Sequence, residues 1–322
     1  MPITRDEIII ECVEFFLEHG ESKTLETFNI KSSTLNRYKI KYKNQIRPEK
    51  FKKGSLIKKI FENYTEEEVK AIANGGRIVP GLEKVPIVDF SGEHFRFGYI
   101  TDTHIGSIYF KEKLFNKFVK ESKKQKCDMI LHTGDVTDGM LTVGRRGGSV
   151  YELTHLGFDQ QKEYAINLFG QIDVPIFAID GNHDRWYISQ NGAKIVKDIA
   201  ESLKNFNFIG HDEGDISLKG CILKLWHGED GNSYATSYRV QKVCEAFTGG
   251  EKPKILLLGH THKMINMYER HIHCLSGGSI SLRSAWMKSK RIAAHTGFWI
   301  VDVWVKNKCV KKISPTWYPF YM

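Results

Sequence analysis

Residues 95–106 read FRFGYITDTHIG. Phe95, Phe97 and Tyr99 alternate with their neighbours, the period-two pattern of a strand buried on one face. The run ends at Thr101 and Asp102-Thr103-His104 follows at once. Both side chains in that triplet can bind a metal ion.

The same arrangement recurs along the chain. Cys127–Thr133 leads to Gly134-Asp135, and Val174–Asp180 leads to Gly181-Asn182-His183-Asp184. Cys221–Trp226 leads to His227-Gly228, and Lys254–Leu258 leads to Gly259-His260-Thr261-His262. Helical patterns separate the first of these runs: Lys111–Lys124, with Leu114, Phe115, Phe118 and Val119 on one face, and Phe158–Phe169. Alternating strands and helices predict an α/β domain. In open α/β sheets ligands bind beyond the carboxyl ends of the strands, so five such strands would gather their polar groups at one edge. The adjacent glycines would let the backbone turn sharply there. A single strand-end histidine is most often an ordinary hydrogen-bonded residue. Five metal-competent endings in one chain make that bland reading insufficient.

The ordered set Asp-x-His, Gly-Asp, Gly-Asn-His-Asp, His-Gly, Gly-His-x-His resembles the signature of the calcineurin-like metallophosphoesterase superfamily over roughly residues 95–265. The resemblance implies an αββα sandwich, two mixed sheets flanked by helices, over residues 86–322. It also implies two divalent metals. One would take Asp102, His104 and His262; the other Asn182, His227 and His260; Asp135 would bridge them. Imidazole and carboxylate donors suit Mn, with Fe and Zn as alternatives, and four histidines are unlike a Mg or Ca site. Two metals about 3.5–4 Å apart can clamp the attacking and leaving oxygens of a phosphoryl transfer, and a water bridging them would be the nucleophile. By the same resemblance His183 assists the leaving group and Asp138 orients it. An Asp–His pair of that kind keeps the imidazole protonated and aimed. Asp138-Gly139 also reads as a plain turn.

Two motif details bear on the substrate. Protein Ser/Thr phosphatases carry Gly-Asp-x-Val-Asp-Arg-Gly and Gly-Asn-His-Glu, whereas this chain has Gly134-Asp135-Val136-Thr137-Asp138-Gly139-Met140 and Asp184 after His183. Asp102-Thr103-His104-Ile105-Gly106 resembles the opening motif of double-strand-break repair nucleases. His104–Ser107 together with Gly134–Gly139 resembles the exonuclease small subunits of archaeal D-family DNA polymerases. Ser284–Val303 is reminiscent of phage-encoded phosphoesterases. Arg145 and Arg146 could touch a phosphate backbone or simply sit in a surface loop. Trp186 and Tyr187 could stack on a base, although aromatic residues fill cores first.

The chain has 322 residues and a formal net charge of +9, placed unevenly. Between Lys31 and Ile60 there are eleven Lys or Arg against one acid, Glu49, so the remainder is nearly neutral. Such a block suits a polyanion, nucleic acid first, or is a solvated basic linker. It overlaps a pattern that resembles a helix-turn-helix: a helix over residues 5–18, a short helix over Lys23–Phe28, a turn at Asn29–Lys31, and a helix over Thr34–Lys43 capped by Ser32–Thr34. The last would present Arg37, Lys39, Lys41 and Lys43 to DNA phosphates. The alternative is a small packing or dimerisation bundle. The expected organisation is therefore an all-α domain at 1–47, a basic linker with one helix at 48–85, and the phosphoesterase domain at 86–322.

Six scattered cysteines without a Cys-x-x-Cys pair fit a reducing, cytoplasmic setting. No run approaches the ~18 apolar residues of a membrane span. The functional expectation is a Mn-type phosphodiesterase acting on DNA, with a homodimer compatible with the repair-nuclease resemblance. The alternatives are a small-molecule phosphodiesterase for cyclic nucleotides or dinucleotides, and a non-catalytic DNA-binding or scaffold subunit.

Overall fold

The computed structural model describes residues 5–42, 88–142, 147–229, 235–247 and 252–321. Lys43, Arg145, Arg146 and the expected linker helix lie outside the described residues, as does the Lys41 side chain. The chain divides into two units, Met1–Pro80 and Gly81–Met322.

In the first unit, α1 (Arg5–His19), α2 (Glu21–Thr27) and α3 (Ser32–Tyr42) enclose Ile9, Cys12, Val13, Thr24 and Leu35. Gly20, at φ 80°, breaks the chain between α1 and α2, and Asn29, at φ 46°, turns it toward α3. Helix α3 starts two residues before the expected Thr34, because Thr34 N and Leu35 N already donate to Lys31 O. Ser32 Oγ donates to the Glu21 carboxylate at 2.5 Å instead of capping the helix. Arg37 is exposed. Lys39 Nζ packs 4.1 Å from the centre of the Phe16 ring and donates to Asn36 Oδ1 at 3.2 Å.

The second unit opens with β1 (Val88–Phe90), β2 (His94–Ile100), α4 (Glu112–Lys124), β3 (Met129–Thr133), a 3₁₀ turn (Gly147–Glu152), α5 (Gly157–Phe169) and β4 (Ile176–Asp180). Next come α6 (Trp186–Asn191), α7 (Ile195–Ser202), β5 (Phe206–His211), β6 (Glu213–Leu218), β7 (Cys221–Trp226) and α8 (Tyr238–Ala246). It closes with β8 (Ile255–Leu258), β9 (Met264–Glu269), β10 (Ile272–Gly277), α9 (Ala285–Ser289), β11 (Gly297–Lys306) and β12 (Cys309–Pro319). These strands build two six-stranded mixed sheets, ordered β12-β11-β2-β3-β4-β5 and β1-β6-β7-β8-β10-β9. Strands β2 to β5 are parallel, as are β7, β8 and β10 in the other sheet. The carboxyl ends of β2, β3, β4, β7 and β8 carry the five motifs.

Alternation along each strand sorts side chains between layers. Phe97, Tyr99, Leu131, Phe177 and Ile179 of the first sheet meet Ile216, Leu223, Leu225, Leu257 and Leu275 of the second in one buried cluster. The opposite faces pack on helices: Ile100, Ile130, Ile176 and Ala178 against Phe115, Phe118, Phe169 and Ile199, and Leu256, Leu258 and Cys274 against Val240 and Cys244. The result is the αββα sandwich that the sequence predicts.

Gly98 shows how tightly α4 lies on β2. A Cβ there would stand 2.7 Å from Ile130 Cδ1 and 2.8 Å from Phe118 Cε2. Gly98→Ala should therefore destabilise the second unit by about 1–3 kcal/mol, the usual cost of overpacking. Urea unfolding measures it, and a loss below about 0.5 kcal/mol would mean that the helix is free to move away.

Candidate metal centre

Each donor sits where its strand stops, and the backbone there is unusual. Asp102 (φ 49°), His104 (φ 48°), Asp135 (φ 51°), His260 (φ 70°) and His262 (φ 54°) all adopt left-handed conformations. Five of the seven expected donors thus occupy a region that non-glycine residues rarely visit, at a cost of about 1–2 kcal/mol each. Strain of this kind persists only where surrounding bonds hold it, and it concentrates at functional sites. Here Asp102 N donates to Gly134 O, His104 N to Asp135 O, and His260 N to the Asp102 carboxylate at 3.0 Å.

The side chains converge. His104 Nε2 lies 3.1 Å from His262 Nε2, and His262 Nε2 lies 3.2 Å from Asp102 Oδ1. His227 Nε2 lies 3.3 Å from Asp135 Oδ2 and 3.1 Å from Asn182 Oδ1. Asn182 Oδ1 is also 2.8 Å from His260 Nδ1, and Asp135 Oδ2 is 3.7 Å from His104 Nε2. Asp135 therefore stands between an Asp102–His104–His262 group and an Asn182–His227–His260 group. Asp102, His104, Asp135 and His227 are buried, while Asn182, His260 and His262 are half-buried.

The orientation of the rings tests whether metals fit. His227 Nδ1–H donates to Thr133 O at 2.6 Å, so its Nε2 lone pair faces two oxygens. His104 Nδ1 faces the Asp138 carboxylate at 2.9 Å, which turns its Nε2 lone pair toward His262. Acceptors pointed at one another repel unless a cation lies between them. Donor atoms 3.1–3.7 Å apart are also the spacing of ligands that each stand about 2.1 Å from a common ion. The residues present fit two divalent cations.

The proton balance reflects the same field. Burial opposes ionisation of Asp102 and Asp135, but the charge of His262 beside the first and of His227 beside the second holds both below the usual carboxylate range. Burial also works against His227 and His104, yet Asp135 for the first, and Asp138 with Asp135 for the second, push each up to about 9. Without metal the cluster draws in protons; a cation takes their place. His260 is pushed down to about 3 by burial and by His227.

Gly181 and Gly259 are required by close approach. A Cβ on Gly181 would overlap Asp135 Oδ1, and one on Gly259 would stand 2.5 Å from Thr133 O and 2.8 Å from His227 Nδ1. The sequence suggests sharp turns at these glycines, but neither has a positive φ.

His183 N donates to Asp135 Oδ1 at 2.8 Å, and His183 Nδ1–H donates to the backbone carbonyl of Asp138 at 2.8 Å. The Asp138 carboxylate is 3.6 Å from His183 and nearer to His104, so the main chain and not the acid holds the His183 ring. Burial pushes His183 down to about 4 despite Asp135. Trp186 lies against this ring, with centroids 3.9 Å apart, while Tyr187 is buried in the core. Of the residues expected to meet nucleic acid, Arg37 and Lys39 belong to the first unit; the others lie outside the described residues or side chains.

Three residues that support the site escape a reading of motifs. Asp184 accepts from Val136 N, Thr137 N, Thr137 Oγ1 and Gly181 N at 2.8–3.0 Å, clamping the loops after β3 and β4 together. Arg239 Nη2, on α8, donates to His227 O at 3.0 Å while its guanidinium lies 4.8 Å from the centre of the Trp226 ring. His132 accepts from Gly134 N at Nδ1 (3.2 Å) and pairs with Thr103 Oγ1 at Nε2 (3.0 Å). The signal for Asp184 is its place after His183; Arg239 and His132 leave none, because their contacts with His227 O and Thr103 Oγ1 form only in the fold.

Two carboxylates, four imidazoles and an amide oxygen at the edge of an αββα sandwich are the kind of donor set that metallophosphoesterases carry. The model of the calcineurin-like phosphoesterase family matches residues 95–264, more than half of the chain, and the chain belongs to that family. It is similar to the DNA polymerase II small subunit of Methanothermobacter thermautotrophicus, at 26% identity over 306 residues, taking in 78% of this chain. The chain spans 61% of the length of that relative. Among solved structures, a novel archaeal phosphodiesterase matches with a TM-score of 0.40 and 12% identity, covering 69% of this chain and 99% of that one. Yfce, a phosphoesterase from E. coli, matches with a TM-score of 0.38 and 14% identity, covering 68% and 98%.

His132 yields a test in acid. Burial pushes it down from 6.5 to about 3, so it stays neutral in the folded protein while the unfolded chain takes up a proton. Between those values the unfolded state binds more protons, and stability falls as pH falls, by up to about 1.4 kcal/mol per pH unit. His132→Gln, which keeps an acceptor and a donor, should flatten that dependence. Unfolding at several pH values reads it; identical slopes in the variant and the wild type would exclude His132 as the source.

Proposed function

We propose that the protein is a binuclear-metal phosphodiesterase that hydrolyses DNA. The observation that carries this reading is the convergence of seven donors whose lone pairs face one another at the floor of a wide cleft. Asp102, His104 and His262 would hold one divalent cation, Asn182, His227 and His260 the other, and Asp135 both, with Mn the expected metal. When bound, such a pair stabilises charge on phosphate oxygens and brings the pKa of water toward neutrality.

The chain's own groups then have separable tasks. Asp138 presents His104 by accepting its Nδ1–H, and Thr133 O does the same for His227. Contacts of this type, to a carboxylate or to a main-chain carbonyl, fix the tautomer and the direction of a ligating imidazole. His183 is anchored at N and Nδ1 and braced by Trp186, which leaves Nε2 as the atom that can exchange a proton with a leaving oxygen. Burial keeps His183 neutral in the empty cleft. A phosphodiester anion favours the imidazolium, so proton uptake at Nε2 would accompany substrate binding.

The choice of DNA is supported by the basic block before residue 60, by the departure from the phosphatase motifs, and by the polymerase subunit to which the chain is similar. The helical first unit would retain the substrate through Arg37 and its basic neighbours. A scaffold role without catalysis is the competing reading, since that relative is named as a polymerase subunit.

The Mn-loaded wild type should cleave labelled DNA, and a chelator should abolish cleavage. His183→Ala should lower the rate by about 10²–10⁴-fold with metal content unchanged, as expected for loss of a proton-transfer group. No cleavage of DNA alongside turnover of a bis-aryl phosphodiester would move the substrate to a small nucleotide. No turnover of either, with both metals bound, would favour the scaffold.

A further inference from the structure

The segment between His262 and β11 forms part of the cleft without contributing a donor. Trp286, Met287 and Lys290 line the same cleft as His104, His183 and His262. Its charge is one-sided. Arg283, Lys288, Lys290 and Arg291 are all exposed, and no Asp or Glu occurs between Glu269 and Asp302. Among the described residues, none of these four cations has a carboxylate partner, unlike Arg185, which is held by Asp180, Asp212 and Glu229. Trp286 is 43% exposed, a large aromatic surface for a residue at the rim of a polar cleft.

The segment is also tied to the metal loops. Leu282 N donates to Tyr109 O at 2.9 Å, and Ala285 N to Tyr109 Oη at 3.0 Å, five residues beyond His104. Ser284 Oγ caps α9 by accepting from Met287 N at 3.2 Å, and Met287 is buried beneath it. At the far end His295 N donates to His262 O at 2.7 Å. The backbone that carries the cations and the indole is therefore tied to the loops that carry the donors. Nearby carboxylates outside the donor set are occupied: Glu152 accepts from Tyr109 Oη, and Glu229 is bound by Arg185.

We infer that Arg283–Arg291 is a strand-binding rim that receives a single-stranded polynucleotide beside the metal centre, with Lys288, Lys290 and Arg291 on its phosphates and Trp286 against an unpaired base. This rests on the DNA-cleaving reading above and specifies its substrate. Three features lead to it. The cleft, at about 1100 Å³, is larger than the roughly 300–1,000 Å³ that a small ligand fills. Unpaired cations placed together are an electrostatic track for a phosphate backbone. An aromatic face beside them binds bases only where these are free of a duplex stack.

The test is binding, independent of cleavage. A fluorescein-labelled single strand of about six nucleotides, with phosphorothioate links that resist hydrolysis, is titrated into the Mn-loaded full chain over a range of KCl. Such a probe is short enough to report a local site. Lys288→Ala/Lys290→Ala/Arg291→Ala should weaken binding by about 10-fold or more at low salt and reduce the slope of log K on log salt by about 2, at about 0.7 per phosphate contact. Lys113→Ala/Lys117→Ala/Lys120→Ala, which removes equal charge from the exposed side of α4, should stay within about 2-fold of the wild type. Trp286→Ala should weaken binding by about 5-fold or more with the salt slope unchanged, since stacking releases no counterions. An unchanged slope in the rim variant, equal losses in both triple variants, or no binding by the wild type would each overturn the inference. Binding as described in a protein that cuts no DNA would leave the rim standing and overturn only the nuclease reading.

Discussion

The second unit is organised around lone pairs that would repel one another if no cation joined them. His227 Nε2 faces Asp135 and Asn182, and His104 Nε2 faces His262. Lone pairs alone do not favour that convergence; Asp–His charge pairs support it while protons are bound, and bonds from outside the cluster fix it. The imposing bonds are main-chain ones: Thr133 O on His227, Asp138 O on His183, and the amides of Val136, Thr137 and Gly181 on Asp184. Asp184 is where this enforcement costs most. Burial and the nearby Asp135 charge push its carboxyl up to about 7, although three backbone amides pull the other way. A buried acid with four donors joins two loops that must stay in register for Asp135 and Asn182 to meet.

Parallel strand pairing makes the arrangement possible. Adjacent parallel strands end at the same edge, so β2, β3 and β4 deliver Asp102, Asp135 and Asn182 side by side, and β7 and β8 deliver His227, His260 and His262 from the other sheet. The buried layer between the sheets, with Tyr99, Leu131 and Leu257 in it, sets the distance between those two groups. Tyr99 adds a polar tie, donating to Leu258 O at 2.6 Å from across the layer. The packing of the core and the spacing of the donors are thus one problem.

What can be read in the sequence follows from the same logic. Fully buried strands whose ends carry donors, such as Met129–Thr133 and Ile255–Leu258, stand out because apolar runs and polar endings are both local patterns. Strands β6, β9 and β12 do not stand out. β9 and β12 contain no fully buried residue, and in all three strands residues such as Glu213, Asn266 and Lys311 blur the alternation. They hold their places through pairing with β7, β10 and β11, which is tertiary information. The same limit explains Asp138. The family resemblance implies that Asp138 orients His183, yet whether the carboxylate or the carbonyl of one residue reaches a ring 45 positions away depends on the turn of Asp138-Gly139. A Cβ on Gly139 would collide with the His183 carbonyl, so that turn and the His183 backbone are fitted to each other.

Backbone strain is part of the cost of gathering these donors at one edge. Five donors at positive φ together cost several kcal/mol, a large share of the 5–15 kcal/mol by which domains are stable. The packing of Phe97 or Leu257 does not depend on the φ of His260, so this strain belongs to the loops and not to the core. Positive φ also occurs after other strands, at Asp212, Lys219, Arg270 and Asn307, but among the expected donors Asp102, His104, Asp135, His260 and His262 carry it, whereas Asn182 and His227 do not. Those two exceptions are already aimed by other means, Asn182 by its place between His227 and His260, and His227 by Thr133 O. Ions that bind only the folded state stabilise it by mass action, and can thereby offset the strain that positions their ligands. On this view bound metals would help to hold the loops after β2, β3 and β8 in place.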